Sequence, residues 1–112
     1  MLTLTPAYDI CPQNRTGFEA SQGMFILGNQ RGSKLSLCAD AAHLFLLSTE
    51  EAYWIIESQM QTICDHWQSV CDQAKLTPVD RQFMVRRQFF NPFAFEGLNN
   101  SKSHLWKLAQ TL

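Results

Sequence analysis

Ser48-Thr49-Glu50-Glu51-Ala52-Tyr53-Trp54-Ile55-Ile56-Glu57-Ser58-Gln59-Met60-Gln61-Thr62-Ile63-Cys64-Asp65-His66-Trp67-Gln68-Ser69-Val70-Cys71-Asp72-Gln73-Ala74 reads as one long amphipathic helix. Ser48 followed three residues later by Glu51 is a capping box, in which each side chain satisfies the other's backbone N–H. Glu50 and Glu51 also place negative charge where the helix dipole favours it. Ala52, Ile56, Met60, Ile63, Trp67, Val70 and Ala74 recur every three or four residues and form an apolar stripe. Gln61, Asp65, Gln68 and Asp72 occupy the opposite face. A stripe of this length makes the segment the spine of a mainly α domain.

Shorter helical signals flank it. Leu35, Cys38, Ala42, Phe45 and Leu46 give helical spacing across residues 33–47, with Ser33 as a candidate N-cap. Lys75-Leu76 breaks the spine. Thr77-Pro78 then starts another helix, with Thr as cap and Pro at the first helical position. Phe83, Val85, Phe89 and Phe90 supply its apolar contacts, and Arg81, Arg86 and Arg87 point elsewhere. Asn91-Pro92 ends it, and Phe93-Ala94-Phe95 follows as an aromatic plug. Asn99-Asn100-Ser101 is a loop, after which Ser101 or Ser103 can cap a short helix through Leu105, Trp106 and Leu108. Trp106 suggests that this last helix docks on the rest.

Residues 1–32 are different in kind. They hold four of the five glycines and two of the four prolines and show no helical period. Met24-Phe25-Ile26-Leu27 reads as a buried strand or a core-facing loop. Gly28-Asn29-Gln30-Arg31-Gly32-Ser33 carries turn signals but lacks the Gly-Lys-Ser/Thr ending of a phosphate loop. In Leu4-Thr5-Pro6-Ala7-Tyr8-Asp9-Ile10-Cys11-Pro12, an Asp sits between two prolines that bias Thr5 and Cys11 away from helix. The segment reads as a strand end delivering the Asp9 carboxylate on a stiffened loop. That suits a carboxylate offered to a metal ion or phosphate. It suits a plain turn as well, since Asp is a favoured turn residue. Tyr8 beside it is a packing residue whose phenol can orient the loop.

With 112 residues the chain is long enough for one small core. The 46% hydrophobic and 17% charged fractions, with eight Phe and three Trp, place it on the apolar side of globular. A net charge of −1 argues against bulk attraction to nucleic acid or to a membrane surface. Apolar runs fall short of the roughly 18–20 residues that span a bilayer. The opening Met1-Leu2-Thr3-Leu4-Thr5 lacks the basic region of a signal peptide, so a cytoplasmic location is expected. Cys11, Cys38, Cys64 and Cys71 are then reduced thiols. Cys64 and Cys71 share a helix face, but with His43 and His66 their spacing fits no standard zinc finger. His43, His66 and His104 stand apart from any nucleophile and carboxylate at a telling separation, which argues against a triad. Arg81, Arg86 and Arg87, with Lys102 and Lys107, could touch a phosphate backbone. Nearby carboxylates make a solvated face the simpler reading.

Taken in order, four blocks resemble the C-terminal part of HipA-family proteins, the serine/threonine kinase-like toxins of bacterial toxin–antitoxin systems. They are Leu4-Thr5-Pro6-Ala7-Tyr8-Asp9-Ile10-Cys11-Pro12-Gln13, Gly17-Phe18-Glu19-Ala20-Ser21-Gln22, Ile26-Leu27-Gly28-Asn29 and Arg86-Arg87-Gln88-Phe89-Phe90-Asn91-Pro92-Phe93-Ala94-Phe95-Glu96-Gly97. The resemblance runs over residues 1–98 and implies a partial kinase lobe there. Residues 99–112 match nothing in it and read as a C-terminal tail with a short helix.

The resemblance implies that Asp9 holds the magnesium that bridges the phosphates of ATP, so Asp9 is both its metal and its cofactor-binding residue. Arg15, Glu19, Ser21 and Gln22 would lie in an activation or substrate-binding segment, where Thr16 and Ser21 could be phosphorylated; a solvated loop with one ion pair is the simpler reading of the same residues. The family's Gly-rich loop, nucleotide-contacting Lys and catalytic loop have no counterpart in these residues, so no catalytic residue is assigned. The resemblance therefore implies a helical C-terminal lobe that is inactive alone, with magnesium and ATP belonging to a completed kinase. A complete relative would phosphorylate a protein serine, in known relatives on an aminoacyl-tRNA synthetase. Its partners would be an upstream kinase fragment or a helix-turn-helix antitoxin. Lobe surfaces left uncovered would favour a homo-oligomer. The rival readings are a non-catalytic helical protein-interaction module and a gene remnant.

Overall fold

The computed structural model describes residues 1–8, 10–11 and 19–112. Its elements are α1 (Leu35–Asp40), a 3-10 turn (Ala42–Phe45), α2 (Thr49–Gln73), α3 (Pro78–Met84), a π turn (Val85–Phe89), two further 3-10 turns (Pro92–Phe95 and Asn100–Lys102) and α4 (Ser103–Ala109). The chain is mainly helical, and among the described residues no sheet forms. No helix among them is long and apolar enough to cross a membrane.

α2 begins as its sequence dictates. Ser48 Oγ accepts from the Glu51 N–H at 3.1 Å, and the Glu51 carboxylate accepts from the Ser48 N–H at 2.8 Å. It ends in a Schellman motif. The N–H of Leu76 donates to the carbonyl of Cys71 at 3.0 Å and that of Lys75 to Asp72 at 3.1 Å. Lys75 takes the left-handed conformation, with φ 57°, that glycine usually supplies there. The buried stripe is Ala52, Tyr53, Met60, Trp67 and Cys71. Val70 and Ala74, expected in it, face solvent, and Cys71 takes the inward position at the end of the helix.

α3 starts on Thr77, whose hydroxyl accepts from the Asp80 N–H at 3.2 Å and donates to the Asp80 carboxylate at 2.8 Å. The helix expected to run on to Asn91 widens into the π turn, closed by the Phe90 N–H donating to the Val85 carbonyl at 2.7 Å. In an α-helix, side chains five apart point about 140° from each other. A π turn returns nearly to the same face in that distance. Val85 and Phe90 are therefore both buried. Phe89 meets Trp67 edge-on with ring centroids 5.0 Å apart.

Two adjoining clusters make the core. One holds Ala39, Tyr53, Met60, Phe90, Leu105 and Ala109; the other holds Trp67, Cys71 and Val85. Ile63 and Leu112 pack against both. α4 lies on α2. Leu105 is 1% exposed and Ala109 0%. Arg86 caps its C-terminal end, donating to the carbonyls of Ala109 at 3.1 Å and Leu112 at 3.3 Å.

The single helix expected over residues 33–47 is divided into α1 and the 3-10 turn. Ser33 does not cap it, because Lys34 stands at the N-cap with no side-chain bond. Ser33 Oγ instead accepts from the Gln22 side chain at 2.9 Å. The division lets Ala41 and Ala42 pack inward while Leu44, Phe45 and Leu46 stay outside. Residues 20–33 form a short irregular hairpin held by the bridges Ser21–Gly32 and Leu27–Gln30. Gly28 (φ 57°) serves its turn. Met24 and Phe25, expected in a buried strand or core-facing loop, are exposed, and Ile26 and Leu27 are half-buried. Among the described residues no third strand joins the hairpin, and a lone two-stranded ribbon buries little.

Candidate functional site

An open cleft of about 600 Å³ lies between the hairpin, α1 and the Pro92–Phe95 turn. Sequence distance hides it, since Ser36 and Glu96 are 60 residues apart. The Ser36 hydroxyl donates to the Glu96 carbonyl at 3.2 Å. Lys34 Nζ lies 3.5 Å from the Glu96 carboxylate and 4.8 Å from the centre of the Phe93 ring. Gly97 closes this corner. Its φ is +81°, which favours glycine, and a Cβ there would stand 3.0 Å from Ser36 Oγ, so the hydroxyl would have to shift to admit a side chain. Glu19, Arg31 and Asp40 also line the cleft.

Among the described residues, the lining carries both signs of charge and no histidine, and the Ser36 hydroxyl donates to a backbone carbonyl. This arrangement can hold a polar group carrying both charges.

The sequence-derived candidates fall out as follows. Asp9, Arg15 and Thr16 lie outside the described residues. Glu19 stands on the cleft wall, Ser21 in a hairpin bridge, and Gln22 bonds Ser33. Among the described residues no three His, Cys, Asp or Glu side chains converge on one point, so they supply no ready-made magnesium or zinc site.

The three guanidinium groups do not form one basic face. Arg81 bonds the Asp72 carboxylate at 2.7 Å and the Leu76 carbonyl at 3.1 Å, Arg86 caps α4, and Arg87 lies 4.7 Å above the Phe83 ring. Lys102 reaches Glu50 at 3.1 Å and lies over Tyr53 at 4.7 Å. His43 and His66 bond carbonyls of their own helical turns, and His104 contacts Glu57 at 3.0 Å. Partial burial of its sulfur pushes the Cys38 thiol above its ordinary pKa, the reverse of what a reactive cysteine needs. Cys71 is buried, and Cys64 Sγ points to the Leu108 carbonyl at 3.7 Å.

No known family model, curated protein or solved structure matches the chain.

The most exposed apolar feature of the helical part escaped the periodicity argument. Leu44, Phe45 and Leu46 are consecutive; Phe45 is 72% exposed and Leu46 95%. Leu46 has φ 59°, and the Leu47 N–H donates to the Ala42 carbonyl at 3.1 Å. The signal was available in the run Leu44-Phe45-Leu46-Leu47, because four consecutive apolar residues exceed what one helix face can bury.

Proposed function

We propose that this chain is the helical C-terminal piece of a HipA-like serine/threonine kinase and that by itself it binds another polypeptide without transferring phosphate. The four ordered sequence blocks support the family reading. Phosphoryl transfer depends on positioning and electrostatics from several parts together. Neither a Gly-rich phosphate loop nor a catalytic loop is present in these residues. Asp9 would supply a carboxylate for magnesium and ATP in a completed cytoplasmic kinase.

The observation that carries the binding role is the Leu44–Leu46 ridge. A left-handed backbone costs a leucine about 1–2 kcal/mol, yet Leu46 adopts it while almost fully exposed. This left-handed residue closes the preceding 3-10 turn as Lys75 closes α2, and in doing so holds the Leu46 side chain out in solvent. Covering such side chains returns roughly 1.5–3 kcal/mol each, before the entropy lost on association. The partner that fits is a polypeptide carrying the upstream kinase parts, which would cover this lobe.

The test has two arms. Calorimetry with magnesium and ATP, with Asp9→Ala as control, is combined with a turnover assay; no turnover is expected, and turnover abolished in the variant would overturn the non-catalytic reading. Titration with a separately produced HipA-like upstream portion should give a 1:1 complex weakened at least tenfold by Phe45→Asp. A chain that ignores that portion, or binds it equally well with Phe45→Asp, would refute the role of the ridge.

A further inference from the structure

Much of the charge on this chain is already matched. Glu50, Glu51 and Glu57 meet Lys102, the Ser48 N–H and His104, while Arg81 and Arg86 meet Asp72 and the end of α4. The cleft between the hairpin, α1 and the Pro92–Phe95 turn differs. At its closed corner Lys34 and Glu96 satisfy each other. Along its walls Glu19, Arg31 and Asp40 are exposed, and among the described residues their side chains make neither a hydrogen bond nor an ion pair. Asp40 stands four residues after Ser36, on the same face of α1 and about 6 Å further along the axis. Glu19 precedes the first arm of the hairpin, and Arg31 lies on the second, where its carbonyl accepts from the Gln22 N–H at 2.7 Å. Buried Leu37 and half-buried Phe93 complete the lining with apolar surface.

We propose that this cleft binds a free basic α-amino acid, the class of arginine, lysine and ornithine, with its α-carboxylate on Arg31 and its two cationic groups on Glu19 and Asp40. The unmatched charges select this ligand. Two carboxylates and one guanidinium stand open, so their complement carries two cations and one anion. A guanidinium takes a carboxylate as a bidentate pair. Each open carboxylate accepts bonds from an ammonium or a guanidinium. The aliphatic stem of such an amino acid suits Leu37 and Phe93, as long cationic side chains lie along apolar surface.

Other ligand classes fit less well. The oxygens of a nucleotide would face two unmatched carboxylates. An amine without a carboxylate would leave Arg31 unanswered and facing a like charge. The cleft volume of about 600 Å³ is in the range of small-ligand sites. Exposed ion pairs are individually weak, so discrimination among ligands, more than affinity, is the signature of this site. The role needs no kinase partner and is independent of the Leu44–Leu46 ridge.

Titration of the isotope-labelled chain, followed through its amide resonances, tests this. Arginine should shift the amides of Gly32, Ser36 and Gly97, and added salt should weaken its binding. Agmatine lacks the carboxylate, citrulline has a neutral side chain, and Nα-acetylarginine lacks the α-ammonium. Each should bind about threefold more weakly or worse, and glutamate should not bind. Arg31→Gln should lower arginine to the affinity of agmatine and leave agmatine unchanged. Of Glu19→Gln and Asp40→Asn, one should erase the preference over citrulline and the other the preference over Nα-acetylarginine. All three side chains are exposed, so the variants should keep the wild-type circular dichroism. No shift with arginine, glutamate binding as well as arginine, or arginine binding unchanged by Arg31→Gln would overturn the proposal. Equal binding of Nα-acetylarginine, which mimics arginine at the end of a peptide, would overturn the assignment to a free amino acid.

Discussion

The two ends of the chain invert what each is expected to contribute. Residues 99–112, which match no block of the HipA resemblance, supply Leu105 and Ala109, two of the most deeply buried side chains of their cluster, and are tied down by Arg86, Lys102 and His104. Residues 1–8 lead into the segment richest in chemical suggestion, and every one of them is exposed. The contrast has a physical cause. A short amphipathic helix buries one face on a spine already in place, whereas a segment that joins no helix or sheet buries little. Segments that suggest chemistry need not be the ones that hold a fold together.

The comparison can be broken at its strongest point. Leu105→Ala removes a side chain from the heart of the first cluster and should cost about 2–5 kcal/mol. In a domain of this size that lowers the melting temperature by about 10 °C or more, as a thermal scan by circular dichroism will show. A loss under 1 kcal/mol would mean that α4 is dispensable and the contrast between the ends is false.

Next comes Arg86→Met, which keeps much of the side-chain bulk and removes the donors to the Ala109 and Leu112 carbonyls. It should cost about 1–3 kcal/mol, read from the urea midpoint. Hydrogen exchange should show α4 opening before α2.

On the other side of the cleft, Gly97→Ala forces a side chain into a left-handed backbone and against Ser36. About 1–2 kcal/mol is expected. A companion Ser36→Ala should recover only the part due to crowding.

The smallest effects are reserved for the N-terminal part. Removing residues 1–8, or replacing Phe25 with Ser, should move the urea midpoint by less than about 0.5 kcal/mol. A large loss from either would show that this region supports the fold as α4 does.

Local signals made the helical skeleton readable. The capping box at Ser48, the cap-and-proline start at Thr77-Pro78 and the stripe from Ala52 to Trp67 each act within one or two turns of chain, where neighbours in sequence are neighbours in space. The readings that failed needed knowledge of a distant surface. Ser33 looked like a cap, but Gln22 across the hairpin uses its hydroxyl. Val70 fits the helical period as well as Cys71 does, and the position of Val85 decides which of them turns inward. Arg81, Arg86 and Arg87 looked like one basic face, and three different neighbours drew them apart.

By itself, then, the sequence determined a helical protein with one long spine, its start and stop, and a glycine-rich, non-helical first third, because backbone capping and amphipathic period are local properties. Tertiary structure alone decided the widening at Val85–Phe89 that turns both Val85 and Phe90 inward, the burial of α4, the cleft joining Lys34 to Glu96, and the exposure of Trp54 and Leu44–Leu46. Those outcomes depend on which surfaces meet, and that is set by shape and by competition for the same core, which no single stretch of chain encodes.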